Sequence, residues 1–423
     1  MNIYRNTFFH WLETIEAFDE GDYANRLKRR EEKWVHKKFS WNDHEYQLIH
    51  ENQFENEYRM SYEAFHRLKE MMWVLLKRKR KIRGFIRSVT VEMIIGMGLR
   101  FLAGGMVRDI RWIYHVSVAE TYHSIECFIK CVQQTKELDI NLPATPAEWE
   151  TVRKGFSNRS TNGIMSGCVG ALDGYLQRIN APWRREVGNV KSYYSGHYES
   201  FGINCQAACD IRLKFLFFGV VAPGKTNDNA AFPLCKDLVK AIKNLPVGTY
   251  FVGDAAYSLA ENLLVPFIGS QKLNPDNDEF NFYLSQMRIR IEMAFGRIVR
   301  KFQVLKRNIE GKLSKISSIV MACARLHNYI IDMDVPPTVI NDDEDDNIIA
   351  VPHAPDGMGY TPVMLDPNED FVKVDGVSQA RAAIVSEISR EGLRRPDYNL
   401  ERNQSRLVHE ERPQEMLEYY HPN

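Results

Sequence analysis

The chain has no apolar run long enough to cross a bilayer. Its longest, residues 213–221, falls far short of the about 20 residues a spanning helix requires. Nor does it open with basic residues followed by an apolar stretch; MNIYRNTFFHWLETIEAF does not read as a secretory signal. Cysteine is sparse, with 7 in 423 residues: Cys127, Cys131, Cys168, Cys205, Cys209, Cys235 and Cys323. None forms a CxxC pair, and the close pairs lack a second Cys/His pair at zinc-finger spacing. An odd number of scattered thiols fits a reducing compartment, with each thiol a small core residue. A soluble intracellular protein without a membrane partner is therefore expected. Net charge is missing too, 55 basic residues balancing 55 acidic ones. A zero sum does not exclude nucleic acid, because distribution matters more than the total. Basic residues gather at Lys28-Arg29-Arg30 and Lys77-Arg78-Lys79-Arg80-Lys81, while Asp342-Asp343-Glu344-Asp345-Asp346 is acidic. The second basic run reads either as a nuclear localisation signal or as a solvated helix face.

No internal repeat is visible, and the length allows about two or three compact domains. Residues 1–60, polar and aromatic with weak periodicity, form an N-terminal arm. A helical region is expected over 61–160, where Tyr62, Phe65, Leu68 and Met72 share one face and Met93, Met97 and Phe101 another. Within it, two helical runs at 107–114 and 119–132 flank a short joint, as a helix-turn-helix needs and as any packed helix pair also offers. A different texture begins near Gly167. Residues 169–179 suggest a strand, and Phe201, Ile203, Cys205, Ala207 and Cys209 alternate with Gly202, Asn204, Gln206 and Ala208 at a period of two. An apolar strand at 214–222 ends at Pro223-Gly224, and a helix is expected at 229–242. A short buried strand at 249–252 and helices at 287–302 and 316–331 follow. That order gives an α/β (α+β) fold, an antiparallel meander plus a parallel strand in one mixed sheet flanked by helices. Residues 334–423 read as an acidic linker and a last amphipathic helix at 377–390, stopped by Gly392.

Three carboxylates are placed to meet. Asp173 lies in the first strand, Asp254 at the end of the fourth, and Glu292 beside the apolar stripe of the following helix. Carboxylates gathered at one point repel unless a cation neutralises them, and oxygen-only sites suit Mg²⁺ or Mn²⁺. Two such ions can activate a water and stabilise the leaving oxygen of a phosphodiester. Each residue also has a simpler reading. Asp173-Gly174 could be a hairpin turn, Asp254 could cap a helix near Ser258, and Glu292 could pair with Arg288. Asp228, after the third strand, could cap a helix, bind metal as a fourth ligand, or orient a ligand. Trp183-Arg184-Arg185, Lys191 and Tyr193-Tyr194 form a basic, aromatic loop suited to phosphates and exposed bases, or merely a solvated one. Arg290, Arg297 and Lys301 likewise form a DNA-tracking stripe or a solvated helix face. His327 reads as a core histidine rather than a catalytic base.

At these residues the sequence resembles the PIF/Harbinger superfamily of DDE transposases and their domesticated nuclease-like relatives. Carrying the resemblance are Gly170-Ala171-Leu172-Asp173-Gly174, Pro223-Gly224 with Asn227-Asp228, Gly253-Asp254-Ala255-Ala256-Tyr257, Asn281 with Arg288, Glu292-Met293-Ala294-Phe295-Gly296-Arg297, and Leu326-His327-Asn328. It implies an RNase H-like DDE catalytic domain over 165–333, with Asp173, Asp254 and Glu292 as catalytic triad and metal ligands and Asp228 close to the metal. Asn227 stands where the family usually has histidine. Also implied are one or, more fittingly, two Mg²⁺ or Mn²⁺ ions, cutting and joining of DNA at terminal inverted repeats and target sites, and a Myb-like partner. A homo-oligomer of at least two copies follows from paired-end cutting. Nuclear location, through the partner, or else a cytoplasmic one, goes with this. The alternative from the same ancestry is a domesticated nuclease or a non-catalytic DNA-binding or chromatin adaptor.

Overall fold

The computed structural model describes residues 39–82, 89–334 and 378–395. The basic run at 28–30 and the acidic run at 342–346 lie outside these, as do the side chains following Lys77 in the second basic run. Among the described residues no helix is long and apolar enough to cross a membrane.

Two helices, α1 (Trp41–His50) and α2 (Phe54–Tyr58), occupy part of the segment expected as an arm. Aromatic packing ties them to α3 (Tyr62–Ile82): Trp41 stacks on Phe65 with centroids 5.4 Å apart. In α4 (Val91–Leu102), Gly98 permits contact with the next layer, since a Cβ there would stand 2.1 Å from the Phe128 ring. The two helical runs flanking a joint are α5 (Val107–Ile113) and α6 (Val118–Gln134). Helix α6 buries Ile125, Phe128, Ile129 and Val132, while α5 exposes Trp112. Helix α7 (Pro146–Arg159) lies within the stretch expected to be helical, although no separate helix was expected there. It starts with a capping box: Thr145 Oγ1 accepts from the Glu148 N–H at 3.3 Å, and Glu148 Oε2 accepts from the Thr145 N–H at 3.0 Å.

The sheet begins with β1 (Cys168–Arg178). After the short α8 (Arg184–Val187) come β2 (Tyr194–Ser195), β3 (Ser200–Cys209) and β4 (Phe215–Pro223). Then follow α9 (Asp228–Ala231), α10 (Lys236–Lys243), β5 (Tyr250–Val252) and β6 (Leu263–Leu264). The chain continues in α11 (Pro275–Lys301), α12 (Leu313–Asp334) and α13 (Gln379–Arg390). Strand β1 lies at the centre, antiparallel to β3 and parallel to β5. Beyond β3 lies antiparallel β4, and beyond β5 lies parallel β6. This is the expected mixed sheet flanked by helices, with the RNase H-like strand arrangement.

Helices cover both faces. On one, Phe295 of α11 stacks against Tyr175 of β1 at 5.2 Å and meets Phe215 of β4 at 6.1 Å. On the other, Trp149 of α7 and Leu238 and Ile242 of α10 pack with Leu172 and Phe251. Six of the seven cysteines are buried and all are free thiols.

Helix α12 closes the sheet edge with side chains in place of a strand. Asn328 Nδ2 donates to the Phe215 carbonyl and its Oδ1 accepts from the Phe215 N–H, both at 2.8 Å. Beside it, His327 Nε2 donates to the Leu213 carbonyl at 2.8 Å, where Leu213 holds a φ of +68°. Burial pushes the His327 imidazole down to about 3, with Arg297 and Lys301 adding to the fall. Folded His327 thus stays neutral while an unfolded histidine takes a proton near a pH of about 6.5. Its contribution is intact above that pH and erodes as the medium is acidified towards about 3. His327→Gln keeps a donor for Leu213 but removes this titration. Urea denaturation is expected to show that the variant loses about 2 kcal/mol less stability than the parent between pH 7 and pH 5. Equal losses in both proteins would refute this.

Candidate active site

Asp173 sits mid-strand in β1, 2% exposed, in register with Ala207. Asp173-Gly174 is therefore no hairpin turn. Successive strand side chains alternate, so Asp173 and Tyr175 stand on the face covered by α11 while Gly174 opens to the other.

Parallel pairing sets Val252 of β5 opposite Ala171. Two residues beyond this pair, Asp173 lies within β1 and Asp254 just past the end of β5, close enough for the Asp173 charge to act on it. No helix starts at Ser258; the chain turns there, so the helix-capping reading of Asp254 does not hold. Instead Asp254 Oδ1 accepts from the Ala256 N–H at 2.9 Å and the Asp254 carbonyl from the Tyr257 N–H at 3.3 Å. Burial, then the charges of Asp173 and Asp228, push the Asp254 carboxyl up to about 7 against the smaller pull of Ala256 and Arg288.

Glu292 lies on α11, one turn before Phe295, with its side chain 12% exposed. Its Oε1 is 2.5 Å from Arg288 Nη1, so the plain ion pair is realised. The same arginine acts on Asp254, giving two acids one shared cation. Among the described residues no group of three or more His, Cys, Asp or Glu side chains stands close enough to form a ready-made metal cage. What exists is Asp173 buried in β1 and a half-buried Asp254, whose charges interact, with Arg288 pairing with Glu292 and acting on Asp254. The donors are hard oxygens, and burial disfavours the charge of Asp254, so a divalent cation fits them in kind.

Asp228 stands at the start of α9, and its charge acts on Asp254. Asn227, not Asp228, caps α9, its Oδ1 accepting from the Ala230 N–H at 2.9 Å. A Cβ built on Gly174 would lie 1.9 Å from Asp228 Oδ1, so Asp228 presses on β1 from the face opposite Asp173. There Oδ1 accepts from Asn204 Nδ2 at 3.0 Å and from Gln206 Nε2 at 2.8 Å. The Tyr257 hydroxyl in turn donates to Gln206 Oε1 at 2.7 Å. One residue on, Ser258 Oγ donates to Asn229 Oδ1 at 2.9 Å.

Asn204, Gln206, Tyr257 and Tyr198 belong to this site without having been expected. Burial, then the charges of Asp228, Asp173 and Asp254, hold the Tyr198 phenol up to about 12. A signal for the amides existed: both stand in the alternating strand β3, where a polar side is normally solvated, yet they are 6% and 1% exposed.

The basic residues divide. Arg184, Arg185 and Lys191 are exposed, and the Arg185 guanidinium lies 4.1 Å from the Trp183 ring centroid. Arg290, Arg297 and Lys301 do not share an open stripe. The Arg290 charge acts on buried Cys209, that of Arg297 on His327, and Lys301 pairs with Asp334 at 3.7 Å. Burial also pulls the Lys301 ammonium below its usual range.

Residues 172–328 match the family described as DDE superfamily endonuclease. Protein ALP1-like from Arabidopsis thaliana is 26% identical over 221 residues, covering 48% of this chain and 52% of that protein. The match thus spans about half the length of that relative. No solved structure matches.

Proposed function

Taking as premise that the chain carries a DDE superfamily endonuclease domain related to the PIF/Harbinger transposases, we propose that it cuts transposon-end DNA and joins it to target DNA. The observation that carries this reading is that Asp173, buried in β1, and Asp254, just past the end of the parallel neighbour β5, act on each other electrostatically, with Glu292 on the helix over the Asp173 face. These three would hold the divalent cation. Once bound, it supplies a water of lowered pKa and charge stabilisation for the leaving oxygen. Arg288 meanwhile pairs with Glu292 while its charge acts on Asp254. Arg184, Arg185 and Lys191 offer exposed cations to backbone phosphates, and Trp183 and Tyr194 offer rings to unpaired bases. Action on paired ends calls for at least a dimer, and the same reading includes a Myb-like partner and a nuclear location.

The test is incubation of the full chain with labelled inverted-repeat end DNA and Mn²⁺. Nicked and joined products are expected, absent with EDTA and absent in Asp173→Asn. Undiminished cutting by that variant ends the assignment. The adaptor reading has one observation in its favour, the Arg288 clasp on Glu292. It predicts retained DNA binding with no cleavage by any form of the protein.

A further inference from the structure

We propose that Asp228 is a positioning residue rather than a metal ligand, acting through Gln206 and Tyr257 to set the turn that aims Asp254. This rests on the nuclease reading above and assigns that site its supporting network.

The geometry begins with strand alternation. Gly174 and Gln206 are opposite each other in the β1/β3 ladder, as are Leu176 and Asn204, so both amides rise on the Gly174 side of the sheet. Asp228 closes over them from the start of α9, in the space that a side chain at position 174 would fill. Asp173 projects from the opposite face of the same strand.

The hydrogen bonds then give Asp228 a different task. Gln206 Nε2 donates to Asp228 Oδ1 at 2.8 Å and to Asn204 Oδ1 at 2.9 Å, which leaves Gln206 Oε1 as the acceptor for Tyr257 at 2.7 Å. Reversing the amide would set its oxygen against the carboxylate and its NH₂ against the tyrosine. Asp228 and Tyr257 therefore fix one orientation of Gln206 between them, and Tyr257 is buried and tied to it. Tyr257 closes the turn that starts at Asp254, its N–H bonded to the Asp254 carbonyl at 3.3 Å. The route runs from the α9 carboxylate, through a β3 amide and a phenol, to the backbone carrying the Asp254 side chain. Ser258 and Asn229 join the same two loops at a second point.

A ligand and a positioning residue respond differently to conservative change. Asparagine at position 228 keeps an Oδ1 acceptor for Gln206 and Asn204 but is a poor substitute for a metal-binding carboxylate. Mn²⁺ binding to the metal-stripped full chain is followed by the loss of the free-ion paramagnetic resonance signal, with thermal unfolding as a check on folding. Asp228→Asn is expected to bind Mn²⁺ within about threefold of the parent, whereas Asp228→Ala and Tyr257→Phe bind about tenfold more weakly. In cleavage assays, Tyr257→Phe should need correspondingly more Mn²⁺ for half-maximal rate, with its rate at saturating metal within about twofold of the parent. Asp228→Asn binding as poorly as Asp254→Asn overturns the proposal, as does unaltered binding in both Asp228→Ala and Tyr257→Phe. Should Asp228→Ala not fold, the Asp228→Asn and Tyr257→Phe pair decides. Absence of Mn²⁺ binding by the parent protein overturns the nuclease reading and this network's role together, a result distinct from parent binding that the variants leave unchanged.

Discussion

Asp254→Asn is expected to lower Mn²⁺-dependent cleavage on the order of a thousandfold while making the metal-free protein more stable at pH 8. The two effects share a cause. The Asp254 carboxyl is pushed from 3.8 up to about 7 by burial and by the charges of Asp173 and Asp228. A group whose folded pKa is raised stabilises the fold most below its unfolded value. That contribution is lost as pH rises through the folded pKa, here between about 4 and about 7. At pH 8 the ionised side chain therefore costs a few kcal/mol, an order-of-magnitude figure, in the absence of a cation. Asparagine has the same shape, carries no charge, and keeps an oxygen for the Ala256 N–H. Thermal unfolding in EDTA should show the variant melting several degrees above the parent at pH 8 and nearly level with it at pH 4. Saturating Mn²⁺ should reverse the order, because only the parent gains binding energy in its folded state. A variant less stable than the parent in EDTA at pH 8 would mean that the buried aspartates do not strain the fold.

Gly174→Ala is expected to damage the site from the opposite face of the same strand. The added Cβ would stand 1.9 Å from Asp228 Oδ1, 2.4 Å from its Cγ and 2.8 Å from its Oδ2. Strand β1 resists moving, being paired with β3 from Ala171 to Arg178. Asp228 must move instead, dragging Gln206 and Asn204 out of their bonds. Overpacking of this kind costs about 1–3 kcal/mol, and the orphaned amides add about 1–3 kcal/mol more. Cleavage should fall on the order of a hundredfold, since Asp254 loses the support of its turn. The double variant Gly174→Ala with Asp228→Ala removes the clash, so its stability should match that of Asp228→Ala alone. If the double variant instead shows the sum of both losses, the contact is not what makes glycine necessary at 174.

Much of this architecture could be read from side-chain patterning. The period-two run at 201–209 marked β3, and the apolar stripe through Ile291, Phe295 and Ile298 marked the packed face of α11. Periodicity was silent where helices begin with polar turns. The first half of α11, residues 275–286, starts from an Asn274 cap followed by Pro275 with a polar opening turn, and only from Phe280 do Tyr283 and Leu284 join the buried stripe of Met287 and Ile291. Helix α7 announced itself only through its capping box. The two-residue strands β2 and β6 carry too few side chains for any period to register.

Within the site, the amino-acid order by itself determined which carboxylates stand on which elements, because strand and helix periods follow from the spacing of apolar side chains. It also determined that the strand of Asp173 and the strand that Asp254 follows would be neighbours, since a strand, a meander and a crossover leave them side by side. Only the tertiary structure decided that Asn204 and Gln206 bind Asp228, and that Gln206 reaches Tyr257. Both depend on which face of the sheet a loop closes over and which rotamer a long side chain adopts among its neighbours. Those choices are made by three-dimensional packing between residues far apart in the chain, and no local period records them.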